Sequence, residues 1–96
     1  MAHFLGIYRP PRSTFPGDAT PEEERAIGAH FQYLKGLLAE GKLILAGPCE
    51  DASMGLALFE TKDEAEALAI VSADPAVTSK VFTCEIKAYR VSLLRK

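Results

Sequence analysis

KLILAGPCEDASMGLALFE, residues 42–60, holds two short apolar runs separated by a polar turn. KLILAGP (42–48) reads as a strand closed by Gly47-Pro48, and CEDAS reads as the turn. MGLALFE (54–60) reads as a second strand, which makes a hairpin-like unit. Apolar residues fill consecutive positions in both runs: Leu43, Ile44 and Leu45, then Leu56, Ala57, Leu58 and Phe59. Side chains alternate along a strand, so each strand has two apolar faces. A sheet built on this hairpin needs cover on both sides, and soluble monomers avoid leaving such a face bare.

The flanks of the hairpin set the fold. AHFLGIYR (2–9) reads as a strand, with Phe4 and Tyr8 on one side and Leu5 and Ile7 on the other. RPPRSTFPGDAT follows, a proline-rich loop of residues 9–20, long enough to suggest function. Thr20 is a candidate N-cap, Pro21 suits the first helical position, and Glu23 completes a T-x-x-E capping box. Ile27, Phe31, Leu34 and Leu38 recur at helical spacing and are the expected core stripe, with Gly41 as the stop. After the hairpin, Thr61 and Glu64 form a second T-x-x-E box. A second helix then runs to Asp74-Pro75, with Ala65, Leu68, Ala69 and Val71 or Ser72 near its apolar face. VFTCEIKAYRV (81–91) alternates and closes the set as a strand.

The order is β-α-β-β-α-β, an α+β ferredoxin-like split βαβ over one domain of residues 1–96. Two helices cover one face of a four-stranded antiparallel sheet. The economical cover for the other face is a second copy, so a homodimer with sheets face to face is expected.

Composition excludes several function classes. Ninety-six residues leave no room for two cores. The formal charge of −2, from 11 basic and 13 acidic residues, argues against a nucleic-acid partner. No apolar run approaches the roughly 20 residues that span a bilayer, so no membrane partner is expected. The N-terminal residues lack a basic leader, so no signal peptide is expected. Cys49 and Cys84 lie far apart and form no C-x-x-C pair, which fits a reducing cytoplasm.

Chemistry centres on His30. At about 100° per residue it falls roughly 70° from the centre of the apolar stripe, on the flank of Ala26, Tyr33 and Leu37. That shoulder position suits either an acid or base near neutral pH or a half-buried packing histidine. Asp74 is a helix stop, and it gains a role only if it meets His30, where a carboxylate would orient the imidazole. Tyr33, near one turn on, is a candidate donor into the same cleft, or a packing residue. Arg9 and Arg12 flank Pro10-Pro11 and are candidates for an anionic ligand, or solvated charges. Cys49 has no base signature nearby, and Cys84 reads as core. His3 and His30 have no ligand-spaced partner, so no metal is expected. Gly47-Pro48 and Gly55 match neither G-x-G-x-x-G nor a P-loop.

Five features taken together resemble the YCII-related domain over about residues 27–91. They are an H-x-x-Y-L helix, the G-K-L-x-x-x-G-P and G-x-x-x-F strands, an E-A helix and the D-P break. The resemblance implies a ferredoxin-like dimeric α+β barrel and a site of one histidine and one aspartate, here His30 and Asp74. One branch of that family resembles a dehydrochlorinase of a chlorinated hydroxyquinol, chemistry that requires no cofactor. The long loop at 9–20 departs from the family pattern and bears on pocket size. The expected function is cofactor-independent lyase or isomerase chemistry on a small molecule, aromatic rings included. The alternative is a non-catalytic dimer that binds a small ligand or assists another enzyme. A monooxygenase-type dimeric barrel ranks last, since it rests on architecture alone.

Overall fold

The computed structural model describes residues 1–95. Strand β1 spans Ala2–Arg9, helix α1 Pro21–Ala39, β2 Leu43–Pro48 and β3 Gly55–Thr61. Helix α2 spans Glu64–Ser72, the single turn α3 Pro75–Thr78, and β4 Thr83–Ala88. The strands form one antiparallel sheet in the order β2-β3-β1-β4. This is the ferredoxin-like arrangement expected from the hairpin and its flanks.

Register assigns the sheet faces. Phe4 pairs with Phe59 and Gly6 with Ala57, and these four are buried on the helix side. Tyr8 pairs with Cys84 on the same side. Leu5 pairs with Leu58 and Leu45 with Leu58, on the opposite, helix-free side. Leu58 is buried there by its neighbours, whereas Leu45 is 51% exposed. A bulge between Leu43 and Leu45 lets Leu43 face the core while Leu45 faces away.

Helix α1 starts as expected. Thr20 accepts from the Glu23 amide, and the Glu23 carboxylate accepts from the Thr20 amide. It ends at Gly41, whose φ of +79° places it where a side chain is costly. There the Lys42 amide donates to the Leu37 carbonyl.

The inward face of α1 differs from the expected stripe. Ala26, Leu34 and Leu37 are buried, while Phe31 is 60% and Leu38 54% exposed. Counting about 100° per residue from His30, the buried residues lie between about −40° and +40°. Ile27, Phe31 and Leu38 lie at about 60° to 100°. The apolar arc of α1 thus spans about 140°, of which about 80° faces the core and the rest borders a cleft.

Helix α2 also differs in detail. Its N-cap is Asp63, which accepts from the Glu66 amide. Thr61 stays in β3 and donates to the Asp63 carbonyl. Ala67 and Val71 are the buried residues of α2, whereas Leu68 is 48% exposed. No helix among the described residues is long and apolar enough to cross a membrane.

The 9–20 loop is built around Arg12. Its guanidinium donates to both Glu23 oxygens at 2.7 and 2.8 Å and to the Asp18 carboxylate at 3.0 Å. Phe15 lies beneath, buried with Ala26 and Val81. A loop of about a dozen residues thereby gains its own small core and closes against the start of α1.

Candidate functional site

Asp74 joins three elements. The residue before a proline is biased to extended geometry, and Asp74 has φ −63° and ψ 127°. One carboxylate oxygen accepts from the Ala76 amide at 2.9 Å, capping α3. The other accepts from the Tyr8 hydroxyl at 3.0 Å and lies 2.7 Å from His30 Nδ1. Asp74 is 0% exposed, so it is both the helix stop and a buried partner of His30.

A buried carboxylate needs such company. Desolvating it unpaired costs several kcal/mol, about what several good hydrogen bonds return. Tyr8 and Ala76 are fixed as donors. An ionised carboxylate only accepts, so Nδ1 is assigned the proton. Nε2 of neutral His30 is then the basic nitrogen. It has no hydrogen-bond partner among the described residues. No buried side-chain nitrogen or oxygen among them lacks a partner. Nε2 therefore opens into the cleft that His30 lines.

Aromatic rings fix the imidazole. Tyr8 and Phe82 stand edge-on to it, with centroids 5.1 and 5.5 Å away, and the His30 side chain is 14% exposed. Burial, and then the Asp74 carboxylate, push the Tyr8 hydroxyl far above its ordinary range. Tyr8 therefore stays a donor at any working pH. Cys84 lies beneath, its thiol pushed up to about 11 by burial.

The cleft measures about 770 Å³. One wall is the apolar flank of α1 with Ile27, Phe31 and Leu38; the opposite wall is β2 and the hairpin. Phe15 and Pro16 of the long loop border it, and His30, Tyr8 and Phe82 lie at its base.

The remaining candidates turn away from this base. The Tyr33 hydroxyl donates to the Ile70 carbonyl at 2.6 Å and ties α1 to α2, so the expected donation into the cleft is not what the structure shows. Arg9 is exposed and pairs with Glu85 at 3.6 Å across β1 and β4. Arg12 is engaged by Asp18 and Glu23 and holds the loop, and it draws the Glu23 carboxyl down to about 2. Neither arginine borders the cleft. No cluster of three or more metal-ligating side chains occurs among the described residues.

Two residues at the base of the cleft, Tyr8 and Phe82, are not among the candidates the sequence offers. The available signal for Tyr8 was its place on the helix-facing side of β1, since a buried tyrosine hydroxyl needs a polar partner. Phe82 precedes β4 and gives no comparable signal.

Comparison with known proteins gives the family and the fold. The YCII-related domain matches residues 1–90. A curated relative, the uncharacterized protein YjpA of Bacillus subtilis (strain 168), is 34% identical over 65 residues. That match covers 68% of this chain and 76% of YjpA. A solved structure is similar with a TM-score of 0.66 and 23% identity, covering 91% of this chain and 93% of its own. It is 5-chloro-2-hydroxyhydroquinone dehydrochlorinase (TftG) from Burkholderia phenoliruptrix AC1100, in complex with 2,5-dihydroxybenzoquinone. At that identity the likeness is one of fold. Together with the match over nearly its whole length, it follows that the chain belongs to the YCII-related domain family.

Proposed function

We propose that the protein is a small cofactor-independent enzyme of lyase or isomerase type, acting on a small ring compound by acid–base chemistry. The observation that carries this reading is the contact of His30 Nδ1 with the buried Asp74 carboxylate, at 2.7 Å, at the base of an apolar cleft. His30 Nε2 takes a proton from the substrate. The electron pair released forms a new π bond, and the leaving group departs from the adjacent atom with its bonding pair. The step is redox-neutral. In an isomerisation the imidazolium returns the proton elsewhere on the ring. Asp74 stabilises the imidazolium and fixes its tautomer, and Tyr8 and Ala76 hold Asp74. The dehydrochlorinase of the same fold, solved with a dihydroxybenzoquinone, supports a ring compound as substrate.

The site belongs, in this reading, to a homodimer in the cytoplasm. The half-exposed leucines and isoleucine of the helix-free sheet face support the dimer. The two free cysteines fit a reducing compartment.

The test is release of halide from a panel of halogenated hydroquinones and cyclic ketones. Wild type is expected to turn over at least one, and His30→Gln to lose about 100-fold or more, as general-base removal does. Undiminished turnover by that variant ends the proposal in favour of a binding role.

A further inference from the structure

The cleft holds almost no polar side chains. Among the residues that line it, only Tyr8, His30 and Lys35 carry side-chain oxygen or nitrogen. No carboxylate borders it. The Tyr8 hydroxyl is committed to Asp74, which leaves His30, through Nε2, and Lys35, through Nζ, as the lining side chains with a polar group not held by another side chain.

Lys35 has no acidic partner within 4.0 Å among the described residues, as is also true of Lys62, Lys80 and Arg90, and of these it is the one that lines the cleft. Its ammonium lies 5.6 Å from the centroid of Phe31, the ring that forms the exposed wall. Lys35 follows His30 by five residues, about 7.5 Å along α1 and about 140° around it, so it lies beyond Phe31 and reaches the cleft along that ring. The chain as a whole is acidic, at −2, so the positive charge here is local.

We infer that the cleft selects a small ring compound bearing one carboxylate or ring-oxyanion substituent, with the anion at Lys35 and the ring between Phe31 and His30. The inference rests on the proposed site and adds the charge of its ligand. The apolar wall supplies most of the contact, and the single cation supplies the preference. An ion pair at a rim of this kind gives about fivefold at low salt, and less at high salt.

The test uses benzoate and benzamide, equal in shape and different in charge, titrated into ¹⁵N-labelled protein at pH 8 and low salt. Benzoate is expected to bind about fivefold more tightly than benzamide, with shifts confined to Ile27–Leu38, Phe82 and the hairpin. Lys35→Gln is expected to bring benzoate down to the benzamide level and to leave benzamide unchanged. His30→Gln is expected to keep the preference while losing turnover. Equal binding of the two probes by wild type overturns the inference, as does no binding of either. A preference that survives Lys35→Gln, or that disappears with His30→Gln, also overturns it. Binding is read apart from turnover. A charge preference lost in Lys35→Gln supports the ligand class even if no substrate turns over. Turnover of neutral rings alone, unchanged by Lys35→Gln, removes the ligand class and leaves the proposed chemistry.

Discussion

Replacing Asp74 with alanine tests whether the carboxylate holds the site together. Three donors converge on it: the Tyr8 hydroxyl, the Ala76 amide and His30 Nδ1. Losing the cap to Ala76 costs about 1 kcal/mol. Tyr8 is only 5% exposed, so its hydroxyl is stranded at a cost of about 1–3 kcal/mol. His30 is relieved more easily, because its ring reaches the cleft and can shift its proton to Nε2. Removing a buried charge returns part of the loss. The net expectation is a destabilisation of about 3 kcal/mol, or about 12–24 °C in Tm for a domain of this size. Asp74→Asn keeps the cap oxygen but presents an amide donor to two donors, and is expected to lose about half as much. Tyr8→Phe removes one hydrogen bond and is expected to lose about 1 kcal/mol. The assay is chemical and thermal unfolding of the three variants and of the Tyr8→Phe, Asp74→Ala double variant. Tyr8 and Asp74 are in contact, so their effects are expected to be non-additive by about 1 kcal/mol. Asp74→Ala within 0.5 kcal/mol of wild type (roughly the scale of a neutral surface change), or strict additivity with Tyr8→Phe, refutes the reasoning.

Three further outcomes follow from the packing and the charges. Gly6→Ala is expected to destabilise by about 1–3 kcal/mol in denaturant unfolding, as overpacking does. Its new Cβ would sit 2.9 Å from Cε2 of Phe59, a fully buried ring. Glu23, drawn down to about 2 by Arg12, adds stability that is complete above its ordinary value near 4.5 and is lost as pH falls toward 2. Wild type is therefore expected to lose more Tm than Glu23→Gln between pH 5 and 2; parallel curves would contradict this. Cys84, pushed up to about 11 by burial, is expected to stay a thiol at pH 8 and to react with iodoacetamide more slowly than Cys49, as peptide mass mapping would show.

How much of this was legible in the sequence depends on which physical signal each residue carries. Strand order, helix starts and the split βαβ pattern follow from local periodicity and capping, and Thr20, Glu23 and Gly41 do what their types dictate. The rotation of α1 was not legible. Ile27, Phe31 and Leu38 are as apolar as Ala26, Leu34 and Leu37, and periodicity cannot tell a core wall from a cleft wall. The shoulder reading of His30 had the same cause. The histidine lies at the centre of the inward face; of the expected stripe, Leu34 faces inward and Ile27, Phe31 and Leu38 form the flank. Thr61 and Asp63 both suit an N-cap, and the strand ladder kept Thr61 in β3.

The contact of His30 with Asp74 spans 44 residues and has no local signature. Family resemblance pointed to it, and the turn at Asp74-Pro75 brings it about. Tyr33 and Arg12 were reasonable by type, but their polar groups are taken by Ile70 and by Asp18 and Glu23. Only tertiary packing decides which polar side chains remain free to line the cleft, and here they are His30 and Lys35.

The central claim is that Asp74 holds the proton on Nδ1 of His30 and leaves Nε2 free as the base in the cleft. Long-range ¹H–¹⁵N correlation spectra of the imidazole report this directly, at a pH where the ring is neutral. Wild type is expected to show a protonated Nδ1 and an unprotonated Nε2, reversed in Asp74→Asn. A wild-type ring protonated on Nε2 would contradict it.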